Sequence, residues 1–122
     1  MRRLTKVVGA ALLAVLIGAG QQGMGAQGAE RTVRIVAKKF EYQPNLIKLK
    51  RGEPVVLQFV SADRLHGFSC PGLNIRATIE PGKATTVRVV PDKVGVFPFH
   101  CDLFCGEGHD EMTGNIAVSD EP

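Results

Sequence analysis

The sequence predicts an all-β domain in which two antiparallel sheets pack face to face as a Greek-key sandwich. The first observation is a two-residue alternation of apolar side chains, as in Val33, Ile35 and Ala37, which is the period of half-buried strands. The second is that Gly, Pro and polar residues interrupt this alternation at short intervals. The third is that no stretch after residue 30 keeps a helical period for three turns. Together these features are typical of a β-sandwich.

The predicted strands follow from the alternation in chain order. They cover residues 33–37, 47–49, 55–59, 73–78, 84–90, 95–101 and 114–119. Turn segments separate them, and each contains a Pro or a Gly beside a polar residue, which fixes or frees the backbone for a turn. These turn segments are residues 43–45, 50–54, 80–83 and 90–93. We expect roughly seven or eight short strands in total.

The first 29 residues differ from the rest and are predicted to be a cleaved signal peptide. Residues 1–6 are basic, residues 7–20 contain only Val, Ala, Leu, Ile and Gly, and further small residues follow. The apolar run is shorter than the roughly 18 to 20 residues that a membrane-spanning helix needs. An uncleaved membrane anchor is the alternative interpretation. We therefore expect residues 30–122 to form one exported domain, in the periplasm or an equivalent compartment.

The charge balance excludes one class of function. The chain has 15 Lys and Arg and 12 Asp and Glu, and three of the basic residues lie in the leader, so the mature domain is balanced. Such a domain lacks the strong positive charge of nucleic-acid-binding proteins, and we expect no nucleic-acid partner. The charge is nevertheless uneven, because residues 31–51 are mainly basic and residues 94–122 contain no Lys or Arg.

Residues 97–112 carry the chemistry. The spacing within them is Cys-x3-Cys-x3-His-x2-Met, formed by Cys101, Cys105, His109 and Met112. Thiolate, thioether and imidazole groups together suit copper, whereas zinc rarely uses a thioether. Met112 is also the only methionine after the leader. We expect this loop to fold around a metal centre that His66, at a distant strand end, closes from the other side.

Spacing alone leaves alternatives open for these residues. Cys101 and Cys105 could form a disulfide, which an exported location permits. His66 could be a buried structural histidine. If Cys101 faces inward at the end of its strand, His100 points to the opposite face, which favours a solvent-side or supporting role over metal binding.

Three further side chains are assigned to packing. Cys70 is expected to be a small buried hydrophobe, because free cysteine is among the most buried residue types. Phe68 and Phe104 are expected to pack near the metal and to keep water away from it.

On these residues the chain resembles the CuA domain of cytochrome c oxidase subunit II and is similar to the corresponding domain of nitrous oxide reductase. The resemblance covers residues 40–119 and implies a cupredoxin-like Greek-key sandwich for the domain over residues 30–122. Besides the loop over residues 101–112, it rests on Leu65-His66-Gly67-Phe68, Leu73-Asn74-Ile75, Glu80-Pro81-Gly82-Lys83 and Gly95-Val96-Phe97-Pro98-Phe99-His100-Cys101. Two features depart from subunit II: the sequence shows no two-helix membrane hairpin, and Cys70 matches no ligand of the family.

In that family two thiolates bridge a pair of copper ions, which implies a binuclear CuA-type centre here. Cys101 and Cys105 match the bridging positions. The resemblance assigns His66 and Met112 to one copper. It assigns His109 and the main-chain carbonyl of Leu103 to the other.

The resemblance implies an electron carrier rather than an enzyme. We expect transfer of single electrons between protein partners, such as a c-type cytochrome and a terminal oxidase, with no small-molecule substrate. The proposed ligands leave the metal no open position for catalysis. Contact with a membrane is expected only if the leader is retained.

Two other functions stay open at this stage. One is copper storage or delivery to a terminal oxidase, since the same soft ligands would serve. The other is a mononuclear blue-copper carrier that uses His66, Cys105, His109 and Met112.

Four acidic residues lie in or beside the ligand loop: Asp102, Glu107, Asp110 and Glu111. We expect them to steer a basic partner such as a c-type cytochrome toward the metal. Ordinary solvated loop charges are the alternative interpretation.

Overall fold

Two packed β-sheets form the domain in the computed structural model, which describes residues 30–120. The strands of this range are β1 (Arg31–Lys38), β2 (Glu41–Gln43), β3 (Leu46–Lys50), β4 (Val55–Ser61), β5 (His66–Cys70), β6 (Ile75–Ile79), β7 (Thr85–Val89), β8 (Gly95–His100) and β9 (Thr113–Ser119). The four-stranded sheet has the order β2-β1-β4-β7, and the five-stranded sheet has the order β3-β9-β8-β5-β6. The predicted signal peptide over residues 1–29 lies outside the described residues.

The all-β prediction is confirmed, but the expectation of purely antiparallel sheets is wrong. β1 pairs with β4 in parallel and β3 pairs with β9 in parallel, whereas the other ladders between strands are antiparallel. Parallel neighbours need a crossover connection rather than a hairpin. The chain provides one by running through β2 and β3 between β1 and β4. Alternation along a single strand carries no information about the direction of its neighbour.

The strand boundaries agree with the prediction except around β2, β5 and β6. β2 and β5 were not predicted, because β2 has only three residues and β5 is short and contains Gly67. β6 begins at Ile75 rather than at residue 73, because Pro71–Leu73 forms a 3-10 turn that Asn74 ends in the left-handed conformation (φ 58°). The only other helical segment among residues 30–120 is a second 3-10 turn. No described helix is long and apolar enough to cross a membrane.

Alternate side chains of the strands fill the space between the sheets, as the sequence predicts. Ile35 and Ala37 of β1 and Leu57 and Phe59 of β4 are fully buried. Because successive side chains of a strand point to opposite faces, their neighbours lie toward solvent. The two sheets are therefore held together mainly by apolar burial.

Aromatic rings fill the core beneath one end of the sandwich. Phe68 lies at the centre of this cluster, with its ring centroid 4.6 Å from Phe59, 4.6 Å from Phe99 and 5.6 Å from Tyr42. Tyr42 also meets Phe99 edge to face at 5.2 Å. Such pairs add directional contacts to the area that they bury, and they give this end of the domain a rigid floor.

Candidate metal centre

The ligand loop, residues 101–112, joins β8 to β9 above the aromatic cluster. β8 and β9 are antiparallel neighbours, and Ser69 of β5 pairs with His100 at the end of β8. His66 opens β5 and therefore lies beside the loop, although it is far away in the sequence. The loop finishes in the 3-10 turn His109–Glu111, and the N–H of Cys101 donates to the carbonyl of Met112 at 3.2 Å across its base.

The sulfur atoms of this loop meet in one place. The Sγ atoms of Cys101 and Cys105 lie 3.6 Å apart, and both cysteines are free. This distance is much longer than the roughly 2.05 Å of a disulfide bond. The Sγ of Cys105 is also 3.7 Å from Nδ1 of His109 and 3.8 Å from Sδ of Met112. Both thiols and the thioether are buried.

His66 completes a compact set of donors. One ligand atom from each of His66, Cys101 and Cys105 lies within 4.8 Å of the other two, and all three residues are buried. Nε2 of His66 lies 2.8 Å from a carboxylate oxygen of Asp63. Its Nδ1 is buried with no hydrogen-bond partner among the described residues. Because an ionised carboxylate can only accept, Nε2 is the donor in this contact, and the neutral ring then has a free lone pair on Nδ1 with which to bind a metal ion.

Asp63 is a supporting residue that the sequence does not predict. Its carboxylate also accepts the N–H of Lys39 at 2.8 Å and that of Arg64 at 2.6 Å. Partial burial acts to raise the pKa of Asp63, but these hydrogen bonds and the one with His66 outweigh it and bring the pKa below its usual value. The carboxylate therefore stays ionised behind the imidazole. The one indication of this role in the sequence is that Asp63 lies three residues before His66, in a polar turn.

Two main-chain groups complete the surroundings of Cys101. Its Sγ lies 3.0 Å from the carbonyl oxygen of Leu103, so this oxygen points into the loop while the side chain is half-buried. The N–H of Gly67 donates to the same sulfur at 3.4 Å. Gly67 in turn offers its carbonyl to the hydroxyl of Tyr42 at 2.5 Å. The start of β5 is thus hydrogen-bonded both to the thiol of Cys101 and to Tyr42 of the aromatic cluster.

Two arginines tie the ligand loop to the body of the domain. Arg76 of β6 makes a bidentate pair with Asp102, with Nε–Oδ2 and Nη2–Oδ1 distances of 2.8 and 2.9 Å. Arg64 donates from Nη1 to the carbonyl oxygen of Cys105 at 2.9 Å. The bidentate geometry gives the first contact a defined orientation. Together the two contacts fix the backbone next to each cysteine.

Close packing around the loop requires glycine at two positions. A Cβ atom on Gly67 would overlap the carboxylate of Asp102, and a Cβ atom on Gly108 would overlap the ring of Phe40. A larger residue would push the loop away from β5 or from Phe40. These glycines therefore set how closely the loop approaches His66.

Burial gives the metal-free thiol of Cys105 a preference for the neutral form. It raises the pKa of the Cys105 thiol to about 11, and the adjacent Cys101 adds to the effect, while the cation of Arg64 opposes it. Burial, followed by the nearby Cys101, also raises the pKa of Tyr42. A metal ion that binds the thiolate form must therefore displace protons, so that its affinity rises with pH.

The family model of the cupredoxin-like domain matches residues 8–118. The chain belongs to this cupredoxin-like family. This cupredoxin is 38% identical over 89 residues to cytochrome c oxidase subunit 2 of Thermus thermophilus, covering 73% of this chain and 66% of that protein. It is 32% identical over 102 residues to nitrous-oxide reductase of Ralstonia nicotianae, covering 80% of this chain and 16% of that protein. It thus spans less than two thirds of either relative's length.

Solved structures agree with this assignment. The periplasmic domain of subunit II of cytochrome oxidase of Bradyrhizobium japonicum matches with a TM-score of 0.67 at 21% identity, covering 74% of this chain and 84% of that one. At this identity the match shows the fold alone. A heme-copper terminal oxidase dimer matches with a TM-score of 0.66 at 28% identity, covering 75% of this chain and 66% of that one. The resemblance to subunit II inferred from the motifs is confirmed.

Of the other residues with a predicted role in this cupredoxin, three lie where expected and one does not. His100 is exposed on the outer face of β8 and Cys70 is fully buried, as expected. Phe68 is buried in the aromatic floor, as expected. Phe104 is 79% exposed, so the prediction that it shields the metal is wrong. Its ring lies beside that of His109, with centroids 5.7 Å apart. Because the loop turns Cys101 and Cys105 inward, the side chain of Phe104 between them points to solvent.

The donors in this cupredoxin fit copper. Two thiols 3.6 Å apart, a thioether and an imidazole nitrogen without a partner converge in a buried pocket. This chemistry is too soft for calcium or magnesium, which prefer oxygen ligands. The carboxylate of Asp63 is hydrogen-bonded to His66, and that of Asp102 is paired with Arg76.

Proposed function

We propose that this chain is an exported electron carrier in which Cys101 and Cys105 bridge two copper ions in a CuA-type centre. The observation that carries the proposal is the pair of free, buried Sγ atoms 3.6 Å apart, with nitrogen and thioether donors around them. A mononuclear blue-copper site uses only one thiolate. Homology to oxidase subunit 2 and to nitrous-oxide reductase supports copper electron transfer.

The remaining ligands are assigned to the two ions by position. We assign His66 through Nδ1 and Met112 to one copper, and His109 and the carbonyl of Leu103 to the other. The 3.7 Å contact of His109 with Cys105 and the inward carbonyl of Leu103 support both groups as ligands, and their division between the two ions follows the family resemblance. When bound, the copper pair supplies a one-electron redox couple. The rigid aromatic floor and the fixed loop backbone limit structural change when an electron is gained or lost.

The carrier itself has no substrate in this proposal. His66, Cys101 and Cys105 are buried, and the proposed ligand set leaves no position on the metal for a reacting molecule. We propose that electrons arrive from a protein such as a c-type cytochrome and leave to a partner such as a terminal oxidase. Copper storage or delivery is the competing function, and it requires ready release of the metal.

Partner docking is assigned to the solvent side of the ligand loop. Asp102 is engaged by Arg76, which leaves Glu107, Asp110 and Glu111 as exposed acids with no ion pair inside residues 30–120. We propose that these three steer a basic partner, and that the exposed ring of Phe104 contacts it beside His109. Steering of this kind acts on the association rate and weakens with salt.

Residues 1–29 are assigned as a cleaved signal peptide and residues 30–122 as the mature cupredoxin domain. The composition of the leader supports this proposal, and a periplasmic location follows from it. The N-terminal sequence of protein purified from the periplasm should begin near residue 30. A chain that starts at Met1 in the membrane fraction would instead establish a retained anchor.

Electron transfer and copper delivery differ in what happens on reduction. The copper-loaded domain should accept one electron from reduced cytochrome c in stopped-flow measurements and return it to an oxidant over many cycles. It should also retain its copper when a Cu(I) chelator is present throughout. Loss of copper to the chelator after the first reduction would favour delivery and contradict the carrier function.

A further inference from the structure

Arg64 places a cation against the backbone of the ligand loop. It lies in the turn between β4 and β5, and its Nη1 donates to the carbonyl oxygen of Cys105 at 2.9 Å, across 41 residues of sequence. A Cβ atom on Gly106 would lie 3.7 Å from the same nitrogen. The guanidinium therefore covers the peptide unit that follows one of the two proposed bridging cysteines.

The backbone of Arg64 is held in place from both sides. Its N–H donates to Asp63, and its carbonyl accepts the hydroxyl of Ser61. The guanidinium forms no ion pair within residues 30–120, although acidic side chains surround the loop. The nearby carboxylate of Asp63 is occupied by three N–H donors. Arg64 thus keeps its full charge at a fixed position beside Cys105.

We propose that Arg64 is a positioning residue whose charge raises the reduction potential of the metal centre. This inference rests on the proposed function for the identity of that centre. A fixed positive charge near the centre stabilises its reduced state, because that state carries one more negative charge. This holds however the added electron is shared between the metal ions and their ligands. The same cation stabilises negative charge on the sulfur of Cys105. A neutral side chain at residue 64 would leave the oxidised form relatively more stable.

The size of the effect is limited by solvent. Arg64 is exposed, so water and salt screen part of its field. We expect loss of the charge to shift the electron-exchange equilibrium with a reference redox protein about tenfold toward the oxidised centre. For a one-electron couple this equals about 59 mV. The shift should shrink as ionic strength rises.

Four variants test this inference. Arg64→Met removes charge and donor, Arg64→Gln removes the charge but keeps an N–H donor, and Arg64→Lys keeps the charge. Arg31→Met is the matched control, because Nη1 of Arg31 also donates to a carbonyl, that of Lys48 at 3.0 Å, away from the ligand loop. Spectroelectrochemical titration should show a lower potential in Arg64→Met and Arg64→Gln, equivalent to an electron-exchange constant reduced about tenfold. Arg64→Lys and the Arg31→Met control should keep the wild-type potential.

The metal-free protein provides a second readout. The carbonyl ¹³C resonance of Cys105 should move in Arg64→Met and stay in place in Arg31→Met. An unchanged resonance, an unchanged potential in both neutral variants at residue 64, or an equal decrease in the control would each overturn the inference. If Arg64→Met does not fold, Arg64→Gln and Arg64→Lys still separate charge from structure. A wild-type count of one copper per chain would refute the binuclear centre, while the same potentials would still test the charge effect.

Discussion

Replacing Asp63 with alanine should loosen the metal site although no proposed ligand is changed. The carboxylate accepts hydrogen bonds from Nε2 of His66 at 2.8 Å, from the N–H of Lys39 at 2.8 Å and from the N–H of Arg64 at 2.6 Å. His66 is fully buried in the intact domain, and its Nε2–H loses the acceptor that it has there. The imidazole then loses the hydrogen bond that orients it and that favours the tautomer with the proton on Nε2.

The cost can be worked from these three bonds. A buried donor left without an acceptor costs about 1–3 kcal/mol, and each of the two exposed main-chain donors costs about 0.5 kcal/mol, because water replaces the carboxylate. The sum is about 2–4 kcal/mol. A domain of this size loses about 4–8 °C per kcal/mol, so the metal-free melting temperature should fall by roughly 8–32 °C. Copper affinity should fall about 10- to 100-fold, as for other residues that orient a metal-binding histidine.

Calorimetry of the metal-free proteins and competition with a copper chelator measure the two effects. Asp63→Asn is the matched control, since its amide oxygen can still accept from His66 and Arg64 while its amide nitrogen cannot accept from Lys39. It should lose about 1 kcal/mol and keep most of the copper affinity. If Asp63→Ala retains wild-type affinity and its stability changes by less than about 0.5 kcal/mol, Asp63 does not orient His66.

Three further predictions concern side chains in and near the ligand loop. We expect the oxidised CuA-type centre to be purple, and Cys105→Ser should abolish this colour. Met112→Leu should keep copper and shift its potential, because a thioether is a weak axial donor; metal analysis and visible spectra check both effects. Cys70→Ala should leave copper content and colour unchanged, because burial raises the pKa of this thiol and keeps it inert. The double change of Glu107 and Glu111 to Gln should slow electron uptake from basic cytochrome c and weaken its salt dependence in stopped-flow measurements.

Each of these experiments has an outcome that contradicts the proposed role. Equal, complete loss of copper in the cysteine and methionine variants would remove the distinction between bridging and axial ligands. Missing copper in Cys70→Ala would make that residue a ligand or a disulfide partner. The docking test uses Glu53→Gln with Asp92→Asn as its control, since both residues are exposed at the opposite end of the sandwich. An equal decrease in rate for this control would assign the effect to net charge rather than to the loop.

The local features of the site were predictable because they are encoded in short spacings. One short loop contains Cys101, Cys105, His109 and Met112. Because this loop turns compactly, residues three or four positions apart lie close together. His66 was predicted as a donor at a distant strand end, and the family resemblance supports this, but nothing in its own segment requires contact with a loop 35 residues later. The strands were predictable because burial alternates along each one.

The features that were missed depend on contacts between distant segments. The parallel pairing of β1 with β4 is set by the crossover between the sheets, and neither strand carries a mark of its neighbour's direction. Asp63 and Arg64 are ordinary polar turn residues in the sequence, and only the fold places them behind His66 and Cys105. The exposure of Phe104 follows from the direction in which the loop turns, which composition does not determine.

The most direct test of the binuclear centre is the EPR spectrum of the copper-loaded domain, measured together with copper and protein concentrations. Cys101 and Cys105, with Sγ atoms 3.6 Å apart, should hold two copper ions per chain. One unpaired electron shared over both nuclei should then give a hyperfine pattern with more than four lines. A ratio of one copper per chain with a four-line pattern would contradict the account and favour a mononuclear site.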